Sequence, residues 1–400
     1  MRPADTSALR TKKRLAIVIS HPIQYYAPLY QRLARRKDVS IKVFFTWHTG
    51  REAVLDLGFK QAVAWDIPLT EGYDFELVPN TSPDPGTHHF LGLRNPSLVA
   101  RVLAWGPDVV HITGWAWLSH LLAMRAFSRH GVPVLFRGDS HLLDTARSGP
   151  FWWLKRAILR CVFSWPTAFL YVGSANRAYY EAFGVGRDRL YLCPHSIDVA
   201  RFAEPAEEFE RDAANWRRQL RINDECRVIL FAGKFEPIKR PVELMRAVLA
   251  LGDPRLVLVM VGAGELEDEI NSLAGANPEC FRVLPFQNQS RMPVVYRLGD
   301  LVILPSAETW GLAVNEAMAS GRPVLVSDRV GCAADVVDDS CGRVFPWSDI
   351  SVMMRYMNEM TEDRTKLAKM GRSAARRAWA FDFASTETAL IDCVRKTGLQ

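Results

Sequence analysis

The chain has 400 residues with a formal net charge of +6, 48% of them hydrophobic and 24% charged. That length exceeds what one compact core accommodates and fits two domains of ordinary size, while the composition excludes a disordered or fibrous chain. Lys and Arg are spread through the sequence rather than gathered, which argues against nucleic acid as a partner and favours anionic phosphate or lipid.

The first 14 residues are polar and basic and run into an apolar stretch at 15–20 that is too short for a signal peptide, so no secretion is implied. Residues 14–20 form a β-rich run, followed by His21-Pro22-Ile23-Gln24 and an amphipathic stretch at 26–36, which reads as strand, loop and helix. The alternation returns at 39–46, at 108–112 before 115–129, at 133–136, and at 168–172 before 175–183. Strands alternating with helices predict a mostly parallel sheet. Between them, 79–95 is a long Pro- and Gly-containing loop with His88-His89, either a flap near a cleft or a surface excursion.

The segment 198–218 is rich in charge and poor in apolar pattern, as suits an interdomain connection. A second series of strands follows at 227–232, 255–261, 281–284, 301–304 and 323–326. The expected fold class is therefore α/β, with two Rossmann-like doubly wound parallel-sheet domains. The expected layout is an N-terminal domain at 1–195, a connection at 196–226, a C-terminal domain at 227–380 and a final helix within 381–400. Ligands in such sheets bind beyond the carboxyl ends of the strands, so the residues after each run are where chemistry belongs.

The most specific of these stretches is Pro305-Ser-Ala-Glu308-Thr-Trp310-Gly311-Leu312-Ala-Val-Asn-Glu316-Ala-Met-Ala-Ser-Gly321-Arg-Pro323. A strand ends at Leu304, a loop carries Glu308, and a helix begins near Gly311 with Glu316 in its second turn. Both carboxylates then face one ligand. A nucleotide sugar offers vicinal hydroxyls on two rings, and an ionised carboxylate accepts such donors well. The helix start beside Trp310, Gly311 and Leu312 favours a diphosphate through its free amides and dipole.

Two Glu with seven residues between them, Gly-Leu inside and Glu-Ala-Met-Ala-x-Gly-x-Pro-Val after, resemble the signature of the large family of retaining GT-B glycosyltransferases. Phe231-Ala-Gly233-Lys234-Phe-Glu-Pro-Ile-Lys239-Arg240 agrees in order and spacing. In that family the corresponding cations, usually Arg then Lys, hold the donor diphosphate. They neutralise charge that builds on the leaving group. Lys234 keeps the charge but lacks the bidentate fork of Arg. Val261-Gly262-Ala-Gly264-Glu-Leu-Glu267 opens a helix after a strand; the third glycine of a dinucleotide fingerprint is absent, since Glu267 stands there. The resemblance implies that Gly262 and Gly264 lie beside the nucleotide and that Phe286 lines the base. It implies also that Glu316 holds the ribose, that Glu308 holds the transferred sugar, and that the final helix crosses back to the N-terminal domain.

The N-terminal half is less diagnostic. His111 ends the run Pro107-Asp-Val-Val-His-Ile and stands where many family members carry a histidine close to the donor sugar, which makes Glu308, His111 and Lys239 the expected catalytic group. His21 and Gln24 lie in a loop that usually holds glycines near the donor phosphate. This glycine-free version resembles a branch of bacterial surface-polysaccharide transferases, a resemblance that implies contact of the two residues with acceptor or donor. Arg137-Gly-Asp139-Ser-His141 either shapes the acceptor side or forms an internal ion pair. The stretch 151–165 mixes aromatics with Lys155, Arg156 and Arg160, as in a helix lying in a membrane interface or in a buried helix with a basic edge.

No Asp-x-Asp motif and no partner ligands for His88-His89 are visible, so neither metal nor cofactor is expected. The seven cysteines are odd in number and contain no Cys-x-x-Cys pair, which argues for a reducing compartment. No run of about 18 apolar residues suits a spanning helix. The sequence thus predicts a glycosyltransferase in the cytoplasm or on the inner membrane face, taking a UDP- or GDP-sugar and a glycan or lipid-linked acceptor, in the making of surface polysaccharide. The alternatives are an epimerase or hydrolase of the same fold, and a non-catalytic partner of another transferase.

Overall fold

A computed structural model describes residues 12–48, 54–56, 58–143 and 149–397, with the backbone alone at 54–56. Most of the N-terminal segment read for targeting lies outside these residues. Among these residues nine strands occur in the first half: β1 Lys13–Ile19, β2 Val39–Phe45, β3 Val54–Asp56, β4 Gln61–Val63, β5 Phe75–Leu77, β6 Val109–Thr113, β7 Val134–Arg137, β8 Ala168–Tyr171 and β9 Leu190–Leu192. Six follow: β10 Arg227–Ala232, β11 Leu256–Val261, β12 Phe281–Leu284, β13 Leu301–Leu304, β14 Val324–Ser327 and β15 Gly342–Phe345. The N-terminal sheet has the order β5-β2-β1-β6-β7-β8-β9 and the C-terminal sheet β12-β11-β10-β13-β14-β15, while β3 and β4 form a separate antiparallel hairpin. Pairing within each large sheet is parallel.

Parallel strands covered by helices on both faces must be apolar throughout, and this governs the strand sequences. In β1, Leu15, Ile17 and Ile19 join one core with Tyr26, Tyr30 and Leu33, while Ala16 and Val18 join the opposite core with Val102, Met124 and Phe127. In β10, Val228 and Leu230 face Val314 and Met318, and Ile229 and Phe231 face Leu244, Met245 and Met357.

Two segments tie the halves together. The helix Phe383–Thr397 returns to the N-terminal domain, where Phe383, Leu390, Ile391 and Val394 complete the core that contains Leu15 and Leu33. The charge-rich stretch 196–226 carries more than a connection. It forms helices Val199–Ala203 and Ala206–Gln219, whose Val199, Phe202 and Ala213 belong to the C-terminal core. Charged residues on the outer face of Ala206–Gln219 hide this buried stripe from a compositional reading.

Candidate active site

The carboxyl ends of the two sheets face each other across a cavity of about 790 Å³. In the C-terminal sheet the chain passes from β10 to β11 and β12 on one side and then crosses to β13 on the other side of β10, which opens a crevice at the strand ends. Loops after β1, β2, β10, β11, β12 and β13 line the cavity through His21, Trp47, Lys234, Gly262, Phe286 and Glu308 respectively.

Gly311 caps the helix Leu312–Ala319 in the left-handed region, φ 96°, where a Cβ would also meet Val330 Cγ1 at 2.7 Å. This tight entry turns the helix start into the cavity, which Gly311, Leu312, Ala313 and Glu316 line. Lys239 and Glu308 both line the cavity and form an ion pair across the ends of two loops. Each charge thereby has a partner before any ligand enters. Glu316 accepts a 2.6 Å hydrogen bond from Tyr296 Oη. Burial raises its pKa above the usual carboxylate value, against the opposing pull of Tyr296 and Arg201. Lys234 sits with its Nζ 5.0 Å from the centre of the Phe59 ring.

Of the residues singled out in the sequence, His21, Gln24, Lys234, Lys239, Gly262, Phe286, Glu308, Gly311, Leu312 and Glu316 share this cavity. Trp310, Gly264, His111, Arg137 and Asp139 are not among its lining residues. Trp310 is buried, donates from Nε1 to Asn315 Oδ1 at 3.0 Å, and packs 5.9 Å from the His195 ring. Gly264 serves packing, since a Cβ there would meet the Phe235 backbone at 2.7 Å. His111 is 5% exposed, and neither ring nitrogen has a hydrogen-bond partner. The alternation along β6 points it to the same face as its register partners Ile17 and Leu135. Burial, with a contribution from Arg137, pushes its pKa down to about 3.

Arg137 and Asp139 enter a buried network. Arg137 donates to Tyr26 Oη at 3.2 Å and to the Cys193 carbonyl at 2.8 Å. Asp139 pairs with His195 at 3.0 Å, not with Arg137. Burial alone would raise the Asp139 pKa; His195 and Arg137 outweigh it and hold the carboxyl below its usual value. His141, two residues on, crosses to the other domain, its Nε2 lying 2.9 Å from the Glu308 carbonyl. His21 packs between Trp47 and His48, and burial, reinforced by His48, takes its pKa down to about 4.

His88 and His89 do have a partner, contrary to the sequence reading. The loop brings Asp84 Oδ2 within 3.1 and 3.2 Å of their Nε2 atoms. These three offer ligand atoms within 4.8 Å of one another, the one such His/Cys/Asp/Glu group among the described residues. The hydrogen bonds within the group account for its geometry without an ion.

The helix Pro150–Val162 buries Trp152, Leu159 and Val162 and leaves Phe151 85%, Trp153 61%, Leu154 59% and Ile158 50% exposed. Arg156 lies over the Trp153 ring. Among the described residues no helix is long and apolar enough to cross a membrane.

Comparison with known proteins agrees with this architecture. The family described as glycosyl transferase 4-like domain matches residues 70–195, and glycosyl transferases group 1 matches residues 212–377. A D-inositol 3-phosphate glycosyltransferase of Nocardia farcinica is 32% identical over 228 residues, 54% of this chain and 49% of the relative. A protein of the same description from Salinispora arenicola is 31% identical over 219 residues, 51% of this chain and 49% of its own. The matches thus span about half the length of these curated relatives. Among solved structures, Anabaena HepE in complex with UDP and glucose superposes with a TM-score of 0.67 at 16% identity, covering 95% of this chain and 99% of that one. A glycosyltransferase from Rickettsia africae gives 0.72 at 12% identity, covering 96% and 98%. At such identities the likeness speaks for the fold.

Proposed function

Because the chain belongs to the glycosyltransferases of GT-B fold, with a glycosyl transferase 4-like domain before a group 1 domain, we propose that it transfers a sugar from a nucleoside diphosphate sugar to a glycan or lipid-linked acceptor. The observation that carries this reading is the meeting of two cations, Lys234 and Lys239, with two carboxylates, Glu308 and Glu316, on one cavity between two domains. In this reading the lysines hold the diphosphate, Glu316 the ribose and Glu308 the transferred sugar. Donor entry exchanges the Lys239–Glu308 pair for two better-matched ones, cation to phosphate and carboxylate to sugar hydroxyls. UDP-sugars are the first donors to test, since HepE was solved with UDP and glucose.

The acceptor oxygen forms a bond to the anomeric carbon as the bond from that carbon to the diphosphate breaks. The bonding pair leaves with the diphosphate, which also takes the acceptor proton. Attack from the face of departure retains configuration and needs neither a protein nucleophile nor a metal, the lysines stabilising the developing charge. The exposed apolar stripe of Pro150–Val162, interleaved with Lys155, Arg156 and Arg160, supports work at the inner membrane surface on a lipid-linked acceptor of surface polysaccharide.

The test is incubation with single nucleotide sugars and candidate acceptors, with glycosylated product read by mass and anomeric configuration by NMR. Transfer that Glu308→Gln and Lys239→Ala each reduce by about a hundredfold or more supports the reading. Free sugar or an epimer formed without acceptor would replace it with hydrolase or epimerase activity. Nucleotide binding without turnover would point to a non-catalytic partner.

A further inference from the structure

We propose that the segment 58–69 of the N-terminal domain forms the outer wall of the donor's nucleobase subsite. The proposal rests on the nucleotide-sugar reading and adds a binding surface on the domain opposite the donor's own.

The segment runs from the β3–β4 turn through β4 and beyond, and spans the cleft. Asn288 Nδ2 donates to the Ala64 carbonyl at 2.7 Å, and the Ser290 amide donates to the Asp66 carboxylate at 3.1 and 3.2 Å. Ser290 Oγ also donates to Asp66. All of these contacts fall on the loop after β12, immediately beyond Phe286. The Phe286 ring meets Phe59 at 4.7 Å and Trp65 at 6.3 Å between centroids, in edge contacts inclined at 62° and 68°. Phe59, Trp65 and Phe286 all line the cavity.

The same segment reaches the diphosphate end. Phe59 lies beneath Lys234 Nζ, and a Cβ on Gly58 would stand 2.5 Å from that nitrogen and 2.4 Å from Glu236 Oε1. A side chain at 58 would therefore dislodge Lys234. One short stretch thus touches both the residue assigned to the base and a residue assigned to the phosphates. Every nucleobase presents an apolar π face, and aromatic side chains hold such faces whatever the base. The C-terminal domain supplies one aromatic ring to this part of the cavity and the segment supplies two.

The experiment is calorimetric titration of the full chain with UDP, with GDP and with inorganic pyrophosphate, for the parent, Trp65→Ala, Phe59→Ala and the conservative Trp65→Phe. The nucleotide that binds the parent is expected to weaken by about tenfold in each alanine variant and to recover in Trp65→Phe, while pyrophosphate binds Trp65→Ala and Trp65→Phe as it binds the parent. Nucleotide affinity unchanged in both alanine variants overturns the proposal. So does an equal loss of nucleotide and pyrophosphate in Trp65→Ala, which would make the segment a general support for the cleft. A parent that binds pyrophosphate but neither nucleotide overturns the nucleotide-sugar reading and this wall with it.

Discussion

Substituting Gly262 by Ala tests how the donor side of the cleft is built. The turns after β10 and β11 lie against each other so closely that a Cβ on Gly262 would stand 1.9 Å from the Gly233 carbonyl oxygen and 3.0 Å from Phe235 Cε1. An ordinary contact needs the two turns to part by about 1.5 Å, and the atom in the way is backbone, which cannot rotate aside. Gly233 directly precedes Lys234, so the movement is passed to the cation that faces the cavity. Overpacking of this kind costs about 1–3 kcal/mol of stability, and displacing a positioned group by about 1 Å can cost up to a hundredfold in rate. The assays are thermal melting and nucleotide titration, with Gly275→Ala as the control. Gly275 lies in the helix Glu267–Ala276 with nothing within 4 Å of where a methyl group would stand, so Ala there should leave binding alone and add up to about 1 kcal/mol of helix stability. A Gly262→Ala protein with parental melting and parental nucleotide affinity would refute the close approach as a determinant of the site.

Three further outcomes are expected. Because burial raises the Glu316 pKa above the usual carboxylate value, its loss of charge begins nearer neutrality than for an exposed carboxylate; donor affinity should be full while pH stays above that raised value and fall as pH drops through it, and Glu316→Gln should flatten the profile in titrations across pH. His21 and His120 have pKa values lowered to about 4, and His111 to about 3, each chiefly by burial. The unfolded chain takes up these protons near pH 6.5 and the folded chain does not, so stability is full above pH 6.5 and each group removes at most about 2 kcal/mol between pH 6.5 and 5; a melting temperature independent of pH over that range would contradict their burial as neutral rings. Trp153→Asp should abolish flotation with anionic vesicles while leaving transfer to a water-soluble acceptor within about twofold, since Trp153 is exposed and is not among the residues lining the cavity; equal flotation of parent and variant would remove the membrane role of this helix.

The longer strands of both sheets were legible because their residues are largely apolar, whereas β5, β9 and β15, of three or four residues, were not read as strands. Arg227–Ala232, Phe281–Leu284 and Leu301–Leu304 stand where the sequence pattern puts them. So was the Glu308 and Glu316 loop-helix, because Gly311 and the strand end at Leu304 punctuate it. The strand-end rule placed His111 beside the cavity, but it does not say which face a side chain takes, and parity along β6 turns His111 inward. Trp310 was hidden for a related reason: its indole packs against His195, a residue from the end of the other domain that no local pattern connects to it. The 58–69 segment has strands of three residues and no period long enough to read, and its meaning comes only from Phe286 and Ser290 more than 200 positions away. Asp84 escaped because a loop, not a helix or strand, sets its place beside His88 and His89.

The returning helix Phe383–Thr397 bears on how the chain is made. Its Glu387 pairs with Arg32 and Arg36 across separations of 355 and 351 residues, and its Leu390, Ile391 and Val394 cover apolar side chains of β1 and of the helix Ala27–Ala34. While a ribosome is still translating the second domain, the first therefore stands with part of one sheet face uncovered, an aggregation-prone surface of the kind chaperones recognise. Native packing of the earliest strand waits for one of the latest helices, a high-contact-order closure that should make late assembly slow. A stop codon before position 383 would then harm the first domain, far from it in sequence, more than the second domain to which it is nearer.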